Sequence, residues 1–182
     1  MKMIKMNSKS LFLGLLIVGG SGLMNAQTSQ SQGENAPVVV KQSNPTIDAL
    51  KKQVETNPKD TESLAKLATA YQDVSDWTNA VETWKKISVL LPDWSPSYYS
   101  QAYAYQSAKD DVNAKLAYEK YISTVKPEEI EASKKNLAYA YFYIAFSEQT
   151  TDPAKAKEHI AKSLQYDPSN QDAVKLSTTL NS

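Results

Sequence analysis

The side chains that could carry out acid–base or metal chemistry are few and scattered along this sequence. His159 is the only histidine, and the 182 residues contain no cysteine. A histidine that acts as a general base needs an orienting acid and a nucleophile within reach, and no serine motif surrounds His159. A single imidazole with scattered carboxylates also gives no metal-ligand spacing. We therefore expect His159 to be an exposed or half-buried surface residue, and we expect a protein that is not an enzyme and has no cofactor.

The acidic side chains cluster at predicted helix starts. Asp110 and Asp111 form one cluster, and residues 128–131 hold three glutamates. Negative charge is favoured at these places by the unpaired amides and the dipole of the helix, so the clusters need no paired-acid hydrolase to explain them. A phosphate-binding loop is excluded in practice, because no glycine follows Gly33.

The basic side chains are all lysines. The chain has 20 of them, balanced by 20 acidic residues, and it has no arginine. The planar fork with which arginine binds phosphate and carboxylate is therefore missing. We do not expect a nucleic-acid partner.

The N-terminus has the order of a secretory signal. Three lysines precede the apolar residues 11–18, and small and polar residues lead to Ala26. The apolar stretch of residues 11–24 is shorter than the roughly 20 residues of a membrane span. We expect residues 1–26 to be a cleaved signal peptide, the mature protein to be periplasmic or secreted, and no stable membrane span to remain after cleavage.

The next segment, residues 27–45, is rich in glutamine, serine and asparagine, and its only apolar cluster is the three valines at positions 38–40. Such a composition cannot bury enough apolar surface to form a core. We expect a flexible polar leader, followed by one helical domain over residues 46–182.

The organising pattern of this domain lies in residues 61–93. Apolar or small residues recur there at helical spacing, in two runs separated by Ser75 and Asp76. The first run has Leu64, Leu67, Ala68 and Tyr71, and the second has Ala80, Val81, Trp84, Ile87 and Leu91. A shift of 34 residues then places Tyr71 on Tyr105, Ala80 on Ala114 and Trp84 on Tyr118.

On these residues the chain resembles the tetratricopeptide repeat (TPR) family, whose helix–turn–helix unit repeats every 34 residues or so. The resemblance implies an all-α, right-handed solenoid of helical hairpins, with about three TPR-like units between N- and C-terminal capping helices. We therefore expect eight helices and no strand. The resemblance also implies a non-enzymatic scaffold that binds a protein or peptide segment in its concave groove.

Capping residues mark the helix starts. We expect a first capping helix over residues 46–56 and a last one from Asn170 to about residue 180. Asp60, Asp76 and Ser95 are predicted to cap helices of units one and two. The second helix of unit two is predicted to start near Asp110 or Asp111.

Unit three departs from the 34-residue spacing. Ala156 stands 42 residues after Ala114, where the family would again place a buried alanine. We assign the eight extra residues to a long first helix, from residue 127 or 128 to Gln149, whose charged overhang is residues 128–135. Within it, either Tyr143–Ile144 or Ile144–Ala145 fills the apolar–small pair of the family pattern.

Tyrosines are the unusual feature of this domain. Tyr98, Tyr105, Tyr118 and Tyr121 fall on positions between helices. The resemblance places Tyr99, Tyr103 and Gln106 on the face of the first helix that lines the groove, which we call the groove face, with Tyr141 as its extension on the next first helix. These four residues are the predicted partner-binding site, and contact of the stripe with the overhang or the leader is the alternative.

The chemistry of the partner also follows from these positions. Some TPR proteins grip a terminal carboxylate with lysine and asparagine, but the corresponding residues here are Ala65, Thr69, Tyr99 and Tyr103. The resemblance therefore favours an apolar or aromatic-rich segment. The alternative function is a protein that binds a small ligand or a glycan on its groove tyrosines, for which only Gln106 and Glu148 would supply polar groups.

Overall fold

The computed structural model describes residues 44–182, and these form eight α-helices and no strand, as predicted. The helices are α1 (Pro45–Thr56), α2 (Thr61–Asp73), α3 (Trp77–Leu90), α4 (Ser95–Ser107), α5 (Asp111–Thr124), α6 (Ile130–Glu148), α7 (Pro153–Tyr166) and α8 (Gln171–Asn181). Each helix packs mainly against its neighbours in sequence, which is the arrangement of a repeat solenoid. The units are the hairpins α2–α3, α4–α5 and α6–α7, with α1 and α8 as caps.

Side-chain caps begin six of these helices. Asn44, Asp60, Asp76, Asp110, Asp152 and Asn170 each accept a hydrogen bond from a backbone amide two or three residues further on. These bonds satisfy amides that have no partner within the helix. The predicted caps Asp60, Asp76 and Asn170 are confirmed, and Asp110 rather than Asp111 caps α5. Asn44 and Pro45, which we placed in the leader, are the cap and the first residue of α1.

The prediction that Ser95 caps α4 is wrong. Trp94 holds the capping position without a side-chain hydrogen bond, and Ser95 is the first helical residue. The Ser95 hydroxyl instead donates to Glu129 Oε2 at 3.3 Å, and Ser97 Oγ donates back to the Trp94 carbonyl at 2.9 Å. Both residues are buried, and each hydroxyl has a hydrogen-bond partner within the protein.

Buried alanines stand where the paired helices cross. Ala80, Ala114 and Ala156 are each 0% exposed, as the repeat pattern predicts. A larger side chain at such a position would force the helices apart or into strained rotamers. The core consists of four apolar clusters, which follow one another along the array from one hairpin to the next.

The long first helix of unit three begins later than we predicted. A 3₁₀ turn, Pro127–Glu129, precedes α6, which has 19 residues against 13 in α2 and in α4. It is about 28 Å long at 1.5 Å per residue. Glu129 is held in this turn because its Oε2 accepts from the Lys126 amide as well as from Ser95. The overhang is therefore anchored to α4 at its base.

None of the helices in residues 44–182 is long and apolar enough to cross a membrane. The predicted signal peptide and residues 27–43 of the leader lie outside the described residues.

Candidate protein-binding face

The register of unit three follows from its buried alanine. Ala68 packs in one cluster with Trp84, Ala102 with Tyr118, and Ala145 with Ile160. The apolar–small pair of unit three is therefore Ile144–Ala145, the second of the two alternatives that the sequence left open. A shift of 43 residues, from Ala102 to Ala145, then relates α6 to α4.

The turn between the helices explains why the shift is 43 residues in the first helix and 42 in the second. Ala102 precedes the Asp110 cap by eight residues, whereas Ala145 precedes the Asp152 cap by only seven. In the first two hairpins the turn contains Ser75 or Lys109 with a positive φ of 57° or 61°, and no other described non-glycine residue has a positive φ. Unit three has lost one residue of this turn.

Tyr141 therefore lies on a different face from the other predicted site residues. Its ring stacks on Tyr166 of α7, with centroids 5.9 Å apart and planes 14° from parallel, and lies 6.1 Å from the His159 ring. Burial raises the pKa of Tyr141. It is equivalent to Tyr98, which faces the second helix of its own hairpin. The expectation that Tyr141 extends the stripe of Tyr99 and Tyr103 is corrected, because a one-residue slip turns a helix by about 100°.

Tyr99 is partly buried and packs against the core cluster of unit two. Its ring meets the rings of Tyr118 and Tyr121 edge-on, with centroids 5.6 Å and 5.1 Å apart. Burial, with smaller effects from neighbouring tyrosines, raises its pKa far above the ordinary value. Tyr99 therefore takes part in the packing of unit two, which its predicted role on the groove face did not include.

Tyr103 is half-buried one turn further along α4. Its ring lies 6.1 Å from that of Trp77, at the start of α3, in an edge-on arrangement. This single ring contact leaves part of the tyrosine available on the groove face.

Gln106 makes hydrogen bonds within unit two and to unit three. Its Oε1 accepts from the Tyr118 hydroxyl at 2.9 Å, and its Nε2 donates to the Tyr139 hydroxyl at 2.8 Å. Gln72 has the same role in unit one, since its Oε1 accepts from Trp84 Nε1 at 3.1 Å. A glutamine therefore recurs as the partner of the polar tip of the aromatic residue on the second helix. The 34-residue spacing of Gln72 and Gln106 was the signal for this role.

Two phenylalanines that we did not select occupy the equivalent groove positions in unit three. Phe142 corresponds to Tyr99 and Phe146 to Tyr103 by the 43-residue shift. Phe142 packs against the cluster of Ala145 and Leu176, and its ring meets that of Phe146 at 6.2 Å. Phe146 is 55% exposed.

Charged residues are rare on α4 and on the second half of α6, and they are common on the second helices of all three units. Helix α4 contains no charged residue, and from Tyr139 to its end α6 contains only Glu148, which is buried. The charged residues of the second helices are Glu82, Lys85 and Lys86 in α3, Asp111, Lys115, Glu119 and Lys120 in α5, and Lys155, Lys157, Glu158 and Lys162 in α7. The groove face of units two and three is therefore aromatic and neutral.

Glu148 forms a buried ionic network that we did not predict. Its carboxylate lies 2.7 Å from Lys115 Nζ on α5 and 2.7 Å from His159 Nδ1 on α7. Burial alone would raise the pKa of Glu148, but the hydrogen bonds from Lys115 and His159 outweigh it, and the pKa is lowered. His159 is half-buried, as we expected, because its ring covers this carboxylate. Among the described residues no group of three or more histidine and acidic side chains is placed to hold a metal ion.

Solved structures of repeat proteins share this fold. The C-terminal part of a TPR repeat-containing protein from Cytophaga hutchinsonii is 27% identical, with a TM-score of 0.64 over 71% of this chain and 52% of that one. The chain thus spans about half the length of that solved fragment. A crystal structure of MamA protein is 24% identical, with a TM-score of 0.61 over 74% of this chain and 69% of that one.

A third similar structure holds a peptide. It is the first TPR of Spaghetti (RPAP3) bound to the HSP90 peptide SRMEEVD, which is 14% identical, with a TM-score of 0.54 over 68% of this chain and 91% of that one. No protein-family model matches the sequence, and no curated protein sequence matches it.

Proposed function

Since the chain is a tetratricopeptide-repeat solenoid in its fold, we propose that it is a non-enzymatic scaffold that binds a segment of another protein on its groove face. The observation that carries this proposal is the segregation of charge. Surfaces that face only water are rich in charged residues, yet α4 has none and α6 leaves Phe146 more than half exposed. An aromatic, uncharged face is typical of the centre of a protein interface.

The partner differs in chemistry from that of the peptide-bound neighbour. The peptide SRMEEVD held by the first TPR of Spaghetti is acidic. In this chain the residues at the positions of a carboxylate clamp are Ala65, Thr69, Tyr99 and Tyr103, and none of them is cationic. We therefore propose a partner segment that is uncharged where it meets α4 and α6. The fold alone does not determine which partner is bound. The proposal therefore rests on the side chains at the clamp positions and on α4 and α6.

The alternative function is the binding of a glycan or another small ligand. The two polar residues predicted to serve it make their contacts within the fold. Gln106 is engaged by the hydroxyls of Tyr118 and Tyr139, and Glu148 is buried between Lys115 and His159. A sugar would need hydrogen-bonding groups beside the aromatic rings. Both residues that could have provided them are used within the fold.

Export is a further part of the proposal and is supported by the sequence alone. The lysines, short apolar run and small residues of positions 1–26 favour a cleaved signal, which would leave a mature chain of formal charge −3, since three of the 20 lysines and none of the 20 acidic residues are removed. We propose that the scaffold acts in the periplasm or outside the cell. It carries no cysteine, so its stability there does not depend on disulfides.

Site-specific photo-crosslinking in the source cells tests the scaffold function. A benzoylphenylalanine at position 103 should form a discrete crosslink to a partner protein, whereas the same residue at position 116, which is an exposed leucine on α5, should not. The Leu116 site is a matched control because it lies on a second helix, away from the groove face. Equal crosslinks at both positions, or none at position 103, would contradict use of the groove face.

A further inference from the structure

A ladder of aromatic rings runs along α6 from the core to the surface. The Tyr118 ring contacts that of Tyr139 at 5.9 Å, Tyr139 contacts Phe142 at 6.3 Å, and Phe142 contacts Phe146 at 6.2 Å. Tyr118 is fully buried, whereas Phe146 is 55% exposed. We call Tyr139, Phe142 and Phe146 the aromatic ladder. Phe146 is its exposed end, and the Phe146 ring contacts Phe142, whose ring contacts Tyr139 in turn.

The ladder is fixed in place by its neighbours. The Tyr139 hydroxyl accepts a hydrogen bond from Gln106 on α4, and Phe142 packs against Leu176 of α8. Phe146 therefore projects from a surface whose side chains are already positioned. A binding surface that is positioned in advance avoids the entropic cost of ordering it when a partner binds.

The polar groups around the exposed ring are engaged within the chain. Ser147 Oγ donates to the carbonyl of Tyr143 at 2.8 Å, and Gln149 Nε2 donates to the carbonyl of Phe146 at 2.8 Å. Glu148, the one charged residue of this part of α6, points into the ionic network with Lys115. The part of α6 from Tyr139 to its end thus offers no free charge beside Phe146, and a charged partner group that packs against it would lose its hydration without gaining an opposite charge from it.

On this basis we propose that the aromatic ladder is the anchoring subsite of the groove face and that it takes a large apolar side chain from an uncharged segment of a partner protein. The inference rests on the proposed function and adds to it the position of the anchor and the chemistry of the partner. Aromatic residues in well-packed surroundings commonly dominate the energy of an interface. Tyr103, one helix away, would then contact a neighbouring residue of the same segment.

The test uses the mature full chain and peptides selected on it from a phage-displayed library of random linear peptides. We expect the selected peptides to share leucine, isoleucine, phenylalanine or tryptophan and to carry little net charge. Phe146→Ser should weaken their binding by about tenfold or more, the loss expected for an anchor side chain. Phe146→Trp should keep it. Leu116→Ser is the matched control, since Leu116 is 56% exposed on α5, and it should leave the affinity unchanged.

The outcomes separate this inference from the proposed function. If Tyr103→Ala weakens binding while Phe146→Ser does not, the groove face binds the peptides but the ladder is not the anchor. A charged consensus among the selected peptides would also overturn the inference, even if they bind on the groove face. If no peptide is selected, or if neither variant changes binding, the inference and the groove-face function both fail. Melting curves of Phe146→Ser and Phe146→Trp establish that any lost binding is not lost folding.

Discussion

The buried network around Glu148 gives a quantitative prediction for Glu148→Gln. The Glu148 side chain is only 6% exposed, and it accepts two close hydrogen bonds from basic groups on two other helices. Glutamine keeps the shape of the side chain and one carbonyl oxygen, but it replaces the second oxygen by an amide that cannot accept. A hydrogen bond to a charged group contributes about 1.5–3 kcal/mol, so the loss of one gives a decrease of about 2 kcal/mol in the free energy of unfolding.

Two features keep this estimate below the roughly 3–5 kcal/mol that the loss of one partner of a fully buried ion pair costs. Lys115 is 31% exposed and His159 is 27% exposed, so both can regain some hydration when the carboxylate is lost. Glu119→Gln is the matched control, because Glu119 contacts the same lysine at 3.6 Å but is 43% exposed. We expect the control to cost less than about 0.5 kcal/mol.

The direction of the pKa shift of Glu148 determines how the stabilisation by the network changes with pH. The pKa of Glu148 is lower in the folded protein than its ordinary value of 4.5. The stabilisation is therefore present at neutral pH and is lost as the pH falls below 4.5 and through the folded-state pKa. The difference between wild type and Glu148→Gln should be largest near neutral pH and should shrink in acid.

Urea unfolding at several pH values, followed by circular dichroism, measures these differences. A Glu148→Gln variant that unfolds at the wild-type urea midpoint at neutral pH would refute a stabilising role of the network. A loss that stays constant into acid would show that packing, and not charge, is responsible.

Three further predictions concern the register, the core and the leader. Ala114→Leu should overpack the crossing of α4 and α5 and lower the free energy of unfolding by about 1 to 3 kcal/mol, whereas an unchanged urea midpoint would contradict the register of unit two. Tyr99→Ala removes a partly buried ring with two ring contacts and should cost about 3 kcal/mol, and Tyr103→Ala removes one ring contact and should cost only about 1 kcal/mol, so similar melting temperatures for the two variants would refute their different packing. N-terminal sequencing of the mature protein should find Gln27 first, and a start at Met1 in the membrane fraction would support an anchor instead.

The helices of this fold were predictable because residues close together in the sequence determine where each helix lies and where it starts. Apolar spacing located the helices, and aspartate or asparagine at Asp60, Asp76 and Asn170 located their starts. The crossing alanines were predictable because only a small side chain fits there in each repeat. Ser95 misled us, since a serine before proline resembles a cap, while its hydroxyl is in fact buried against Glu129. The difference depends on a contact 34 residues away, which local pattern does not contain.

The sequence did not determine which residues of α6 form the groove face of unit three. Its assignment depends on one missing residue in a turn, and the alternation of tyrosine and phenylalanine in residues 139–146 offers an aromatic side chain in either register. Periodicity alone therefore could not distinguish Tyr141 from Phe142. Only the pairing of Ala145 with Ile160 identifies which face of α6 turns toward the groove.

The same register explains why the network around Glu148 exists. Tyr71 and Tyr105 stand at equivalent positions near the ends of α2 and α4, and the 43-residue shift places Glu148 at that position in α6. A carboxylate buried where a tyrosine normally packs needs opposite charge to offset its lost hydration. Lys115 from the preceding unit and His159 from the same unit supply the hydrogen bonds. At this position Tyr105 joins α4 to α3 of the preceding hairpin by packing, whereas Glu148 joins α6 to α5 of the preceding hairpin through charge, next to the turn from which a residue is missing.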